Sequence, residues 1–124
     1  MGQEKQNLKA VENWIGLYNT DTTRMAREVY APDFVVHAMG LATVEGTDNL
    51  IRLEDAVNAA APDRIGRIER ARASGDTVTV EAVLTYSGTD GEKIETPFCA
   101  ILTFRDGKIV TDRTYLDRTL WPGL

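Results

Sequence analysis

The sequence predicts an α+β fold in which N-terminal helices cover one face of a long, curved antiparallel sheet. Three observations predict it. Apolar residues recur at helical spacing through most of the first 60 residues. From Arg64 onward the period changes from helical to alternating. Glycine-bearing turns, Ser74-Gly75-Asp76, Gly88-Thr89-Asp90-Gly91 and Asp106-Gly107, cut that half into hairpin-linked strands. Helices first and strands afterwards imply a meander rather than alternating βαβ units.

Taken in order, residues Gln6 to Asn19 form the first helix, with Leu8, Val11, Ile15 and Tyr18 on one face and Trp14 beside them. Gly16 inside it costs about 1 kcal/mol relative to alanine, which points to a close neighbour there. A short second helix is capped by Asp21 or Thr22, turns Met25, Ala26 and Val29 inward, and ends at Pro32. Residues Phe34 to Met39 read as a strand and Thr43 to Glu45 as its short partner. After Gly46, Thr47 or Asp48 caps a third helix running to Ala60, with an apolar face of Leu50, Ile51, Leu53, Ala56 and Val57. The meander follows. Its first strand, Ile65 to Ala73, slips in alternation between Ile65 and Ile68, a bulge signal. Its arginines, Arg64, Arg67, Arg70 and Arg72, read as a solvated or dimer-facing surface. Thr77 to Ser87 points Val78, Val80, Ala82, Leu84 and Tyr86 one way. Glu92 to Arg105 does the same with Ile94, Thr96, Phe98, Ala100, Leu102 and Phe104. Asp106-Gly107 then turns into the last strand, where Arg113, Tyr115 and Asp117 fall on one face.

The 124 residues suit one domain, 1–124, with 43% apolar and 27% charged residues, the composition of a soluble globular protein. No apolar run approaches the about 20 residues that span a bilayer, so no membrane partner is expected. Residues Met1 to Asn7 are polar, and no secretory signal is expected. A lone cysteine, Cys99, forms no intrachain disulfide, and a cytoplasmic setting is the simplest expectation. A net charge of −5 without a basic stripe argues against nucleic acid as a partner. One histidine and one cysteine argue against a metal site, and no cofactor is implied.

Two residues carry the expected chemistry. Asp117, if held in an apolar pocket, would have its pKa raised towards neutrality, which suits proton abstraction beside a carbonyl. Its alternative is a solvated carboxylate at a strand end. His37 is the one side chain that titrates near neutrality without perturbation, and it sits within an apolar strand. It either meets a substrate oxygen or is satisfied by backbone; if Phe34 and Val36 face the cavity, it faces away. Tyr18, Tyr86 and Tyr115 are candidate hydrogen-bond donors to a carbonyl or enolate oxygen, or rim aromatics. Arg113 either pairs with Asp117 or binds an anionic substrate. Cys99 reads as structural. The apolar outer-face positions Val83, Ile101, Val110 and Leu116 suggest a homodimer.

The helix with Trp14 and Tyr18, the segment Tyr30-Ala31-Pro32-Asp33-Phe34-Val35-Val36-His37, Gly46 before a helix, and Asp106-Gly107-Lys108-Ile109 running into Arg113-x-Tyr115-x-Asp117 together resemble the nuclear transport factor 2-like superfamily. Its SnoaL-like polyketide cyclases and ketosteroid isomerases share a cystatin-like cone. The resemblance covers nearly the whole chain. It implies a deep pocket for a small hydrophobic or polycyclic molecule and an isomerase- or cyclase-type reaction. Asp117 would be the acid/base and His37 its partner, with Trp14, Tyr18, Tyr86, Phe98, Arg113 and Tyr115 as substrate contacts. A non-catalytic ligand-binding or dimerisation module is the alternative. Epoxide hydrolases of this fold carry an Arg-x-Asp pair on the second meander strand; Tyr86 and Gly88 stand there, against that activity.

Overall fold

A computed structural model describes residues 2–124. Helices α1 (Gly2–Tyr18) and α2 (Thr22–Glu28) lead into strand β1 (Tyr30–Ala38), β2 (Ala42–Glu45) and helix α3 (Thr47–Ala60). Strands β3 (Ile65–Ser74), β4 (Thr77–Ser87), β5 (Lys93–Arg105) and β6 (Lys108–Leu116) complete one six-stranded sheet in the order β2-β1-β6-β5-β4-β3. The α+β class and the antiparallel β3–β6 meander are as expected. The sheet is mixed rather than wholly antiparallel, because β1 runs parallel to β6. The α3 helix and three meander strands lie between those two in sequence, and a connection that long permits parallel pairing.

Local chemistry explains the boundaries. Asp21 caps α2, its carboxylate accepting the Arg24 N–H at 3.0 Å. Pro32 does not end α2. The helix stops at Glu28, and Pro32 lies in the irregular start of β1, where the pairing with β6 shifts and no ladder N–H is needed. Gly46, at φ 87°, takes the N-cap position of α3 without a side-chain cap, so Thr47 and Asp48 fall in its first turn. Nothing approaches Gly16. The tight contact is across the layer, where a Cβ on Gly66 would meet Ile15 at 3.0 Å and Tyr18 at 3.3 Å.

Val11, Trp14, Leu17 and Met25 from the helices meet Val78, Val80, Leu84, Ala100, Leu102 and Phe104 from the sheet. Full burial of each large aliphatic side chain contributes about 1.5–3 kcal/mol. Arg64 departs from the solvated arginine surface. It is 6% exposed, donates to the Tyr18 carbonyl at 2.8 Å and stacks 4.2 Å from the Tyr18 ring centroid. A cation there satisfies the carbonyl end of α1.

Two bulges set the facing of side chains. In β3 the register shifts between Ile68 and Arg70, one step beyond the expected slip. In β6, Phe104 pairs with Ile109 but Thr103 pairs with Thr111, leaving Val110 as the extra residue. Ile109 is buried, and beyond the bulge it is Asp112, Thr114 and Leu116 that stand opposite the inward-facing Leu102, Ala100 and Phe98. Arg113 and Tyr115 are exposed, so the expected inward face of β6 is the outer one, and Leu116 is not on the outer face. This facing predicts that Leu102→Ala costs about 2–5 kcal/mol in urea unfolding, whereas Tyr115→Ala costs no more than about 0.5 kcal/mol.

Candidate functional site

The helices and the inner sheet face enclose a cavity of about 290 Å³. Trp14 and Tyr18 of α1 form one wall, and Leu50, Leu53 and Glu54 of α3 another. Val36 of β1, with Asp112 and Thr114 of β6, forms the floor. Trp121 and Leu124 lie across it from the C-terminal segment. Trp121 is held edge-on to Phe98, with ring centroids 5.1 Å apart.

The polar groups in the wall form one chain and one free carboxyl. The Trp14 indole N–H donates to the Tyr30 hydroxyl at 3.1 Å, and Tyr30 donates to Asp112 Oδ2 at 2.7 Å. Thr114 donates to the other oxygen, Oδ1, at 2.6 Å. Each partner follows from local structure. Trp14 is on the buried face of α1, Tyr30 opens β1, and Asp112 and Thr114 are two apart on the inner side of β6. Asp112 is 4% exposed, and burial raises its pKa; the Thr114 and Tyr30 hydrogen bonds and the nearby His37 act against that rise. Burial, with the Asp112 charge beside it, holds the Tyr30 hydroxyl well above the usual phenol range.

Glu54 is the free carboxyl. Burial pushes its pKa up to about 7, opposed by Arg64 and reinforced by Asp112 and Asp55. No hydrogen bond from the described residues holds it. The side chain retains partial exposure, and the surface it presents lines the cavity. Tyr18, 7% exposed, has a hydroxyl without a hydrogen-bond partner among the described residues. Burial raises that hydroxyl's pKa, while the nearby Arg64 guanidinium favours its ionised form without forming a well-aligned hydrogen bond.

Of the residues singled out from sequence, Trp14 and Tyr18 reach the cavity. Asp117 does not. It is exposed, and its Oδ1 accepts from the Thr119 hydroxyl at 2.6 Å and the Thr119 N–H at 2.9 Å, which holds its carboxyl below the ordinary range. His37 is half-buried on the side of β1 opposite the cavity-lining Val36, with Nδ1 3.4 Å from the Thr43 hydroxyl. Asp117 and His37 are therefore not brought together in the cavity. Arg113 donates to the Tyr115 hydroxyl at 2.9 Å on the outer face, paired with neither Asp117 nor the cavity. Tyr86 donates to the Leu120 carbonyl and so tethers the C-terminal segment. Phe98 supports Trp121 from behind. Burial and the Glu81 charge raise the Cys99 thiol.

Asp112, Thr114, Tyr30 and Glu54 escaped the sequence reading. Glu54 carried a signal: it follows Leu50 by four residues and precedes Val57 by three, a carboxyl within an apolar helical stripe. The Asp112 signal was masked by the bulge at Val110.

The sequence profile described as a SnoaL-like domain matches residues 11–111. No curated protein matches by sequence. Among solved structures, a provisionally assigned SnoaL-like polyketide cyclase from Jannaschia sp. CCS1 is 22% identical, with a TM-score of 0.82 over 92% of this chain and 87% of that one. IdmH from Streptomyces antibioticus, provisionally a polyketide cyclase, is 20% identical, with a TM-score of 0.84 over 94% and 95%. An epoxide hydrolase of M. tuberculosis is 18% identical, with a TM-score of 0.78 over 95% and 87%. At such identities the likeness establishes a shared fold, on which different reactions are built. Among the described residues no helix is long and apolar enough to cross a membrane.

The raised carboxyl of Glu54 makes stability depend on pH. Folded Glu54 binds its proton more tightly than an unfolded glutamate, whose ordinary value is 4.5, so its contribution is complete below that value and is lost as pH rises through about 7. The loss is no more than about 3.5 kcal/mol. Thermal unfolding of Glu54→Gln is expected to match the parent at pH 4.5 and to occur at a higher temperature at pH 8.

Proposed function

The chain belongs to the SnoaL-like domain family, and on that premise we propose that its cavity takes a largely apolar small molecule and that Glu54 moves a proton at the carbon beside a carbonyl of it. The observation carrying this reading is a carboxyl in the cavity wall that no neighbour among the described residues hydrogen-bonds. A base poised near the operating pH can both take and return a proton. Glu54 removes the proton from the α-carbon, the electron pair passes to the carbonyl oxygen, and an enolate forms. Tyr18, whose hydroxyl has no well-aligned hydrogen-bond partner among the described residues, donates to that oxygen. Where a neighbouring C=C bond conjugates with the enolate, return of the proton from Glu54 to the far carbon completes an isomerisation; attack of the enolate carbon on a second carbonyl of the same molecule, with Glu54 returning the proton to the resulting alkoxide, completes a cyclisation. Asp112, fixed by Tyr30 and Thr114, keeps negative charge near Glu54 and so preserves its basicity. The acid/base role expected of Asp117 passes to Glu54 in this reading.

Hydrogen–deuterium exchange tests the step without knowledge of the product. With a panel of hydrophobic ketones and β-keto esters in D₂O, NMR should show α-proton exchange accelerated at least about 100-fold over buffer. The rate should rise with pH through about 7 as Glu54 ionises. Exchange should be lost in Glu54→Gln and kept in Asp117→Asn. Binding of the panel without exchange would identify a non-catalytic ligand carrier instead.

A further inference from the structure

The wall of this cavity is chemically one-sided. Among the described residues its ionisable acids are Glu54 and Asp112, and no lysine, arginine or histidine lines it. Its aromatic members are Trp14, Tyr18, Tyr30 and Trp121. Asp112 is 4% exposed, yet its carboxylate has hydroxyl donors only, from Tyr30 and Thr114, and no cation within ion-pair distance among the described residues. A buried carboxylate without a counter-ion is costly, and a positive charge in the adjoining space offsets that cost. Tyr18 of the same wall has a buried hydroxyl without a well-aligned hydrogen-bond partner among the described residues. Aromatic rings attract cations through their faces, an attraction worth about 2 kcal/mol where water is excluded.

We propose that the cavity selects ligands bearing a positively charged nitrogen, an amine or quaternary ammonium on an apolar body, with Asp112 as its counter-ion and the aromatic wall around it. This names the substrate class of the same cavity. It rests on the reading of that cavity as a ligand site, not on the proton transfer assigned to Glu54. The geometry disfavours anionic ligands, because two acids and no lining base would meet them. The charged or titratable neighbours that set the balance are Arg64 ahead of β3, Asp55 on α3, His37 and Tyr30 on β1, and Tyr18 on α1. Arg64 acts on Glu54 from behind Tyr18 and leaves Asp112 to the ligand.

Phenyltrimethylammonium and its neutral isostere tert-butylbenzene separate charge from shape. Titration of each into the full chain, followed by tryptophan fluorescence, should show the cation binding at least about tenfold tighter at pH 8, about 1.4 kcal/mol. That advantage should shrink as pH falls and the cavity carboxyls take up protons. It should be largely lost in Asp112→Asn and reduced by no more than about threefold in Glu54→Gln. Equal affinity for the two probes at pH 8, or a preference that survives both low pH and Asp112→Asn, would overturn the proposal. Should Asp112→Asn fail to fold, the pH comparison on the unmodified chain decides. Loss of α-proton exchange in Glu54→Gln with the cation preference reduced by no more than about threefold separates this assignment from the catalytic one.

Discussion

Between Ile109 and Thr111 the last strand holds one residue more than the strand beside it, and the identity of the cavity floor follows from that residue. A bulge shifts the facing of every side chain downstream by one position. With Val110 absorbed, Asp112 and Thr114 turn under the helices, and Arg113 and Tyr115 turn out. The Tyr30–Asp112 hydrogen bond then ties β1 to β6 from within the site, and Trp14 joins α1 to the same chain of donors. Positioning of the acid and assembly of the helix layer are thus one piece of geometry. A buried polar chain of this sort is stabilising only when each member is satisfied, and Trp14, Tyr30, Thr114 and Asp112 meet that condition among themselves.

The two carboxyls divide sharply by environment. Asp112 accepts two short hydrogen bonds and is anchored on a sheet strand. Glu54 sits on a helix, touches the cavity and has no hydrogen-bond partner among the described residues. Burial raises both, but only Glu54 is free to change its contacts when a proton moves. Asp117 shows the opposite environment. At the surface, with Thr119 donating twice to one oxygen, it is held ionised. A carboxylate so stabilised is a weak base, which suits a turn-forming residue better than an acid/base catalyst.

Much of the fold was legible in the sequence because its causes are local. Alternation from Val78 to Leu84 and from Thr96 to Phe104, the Asp106-Gly107 turn and the periodic faces of α1 and α3 each depend on a few neighbouring residues. The parallel pairing of β1 with β6 depends on residues some 75 apart, and no local pattern reports it. The site was legible only in part for a related reason. Trp14 and Tyr18 lie on a regular helix, so helical spacing places them correctly in the wall. Counting by two from Ile109 gives Thr111, Arg113, Tyr115 and Asp117; counting back from the partner of Leu102 gives Asp112. Only a paired strand supplies the second count. His37 fell outside the cavity because Val36 beside it takes the inward position.

Carbon-13 NMR titration of the side-chain carboxyls tests the account most directly, because it reads Glu54, Asp112 and Asp117 in one experiment. A Glu54 midpoint near 7, an Asp112 midpoint above the ordinary aspartate value and an Asp117 midpoint below it are the predicted result. A raised Asp117 together with ordinary values for Glu54 and Asp112 would contradict it and return the chemistry to the outer face of the last strand.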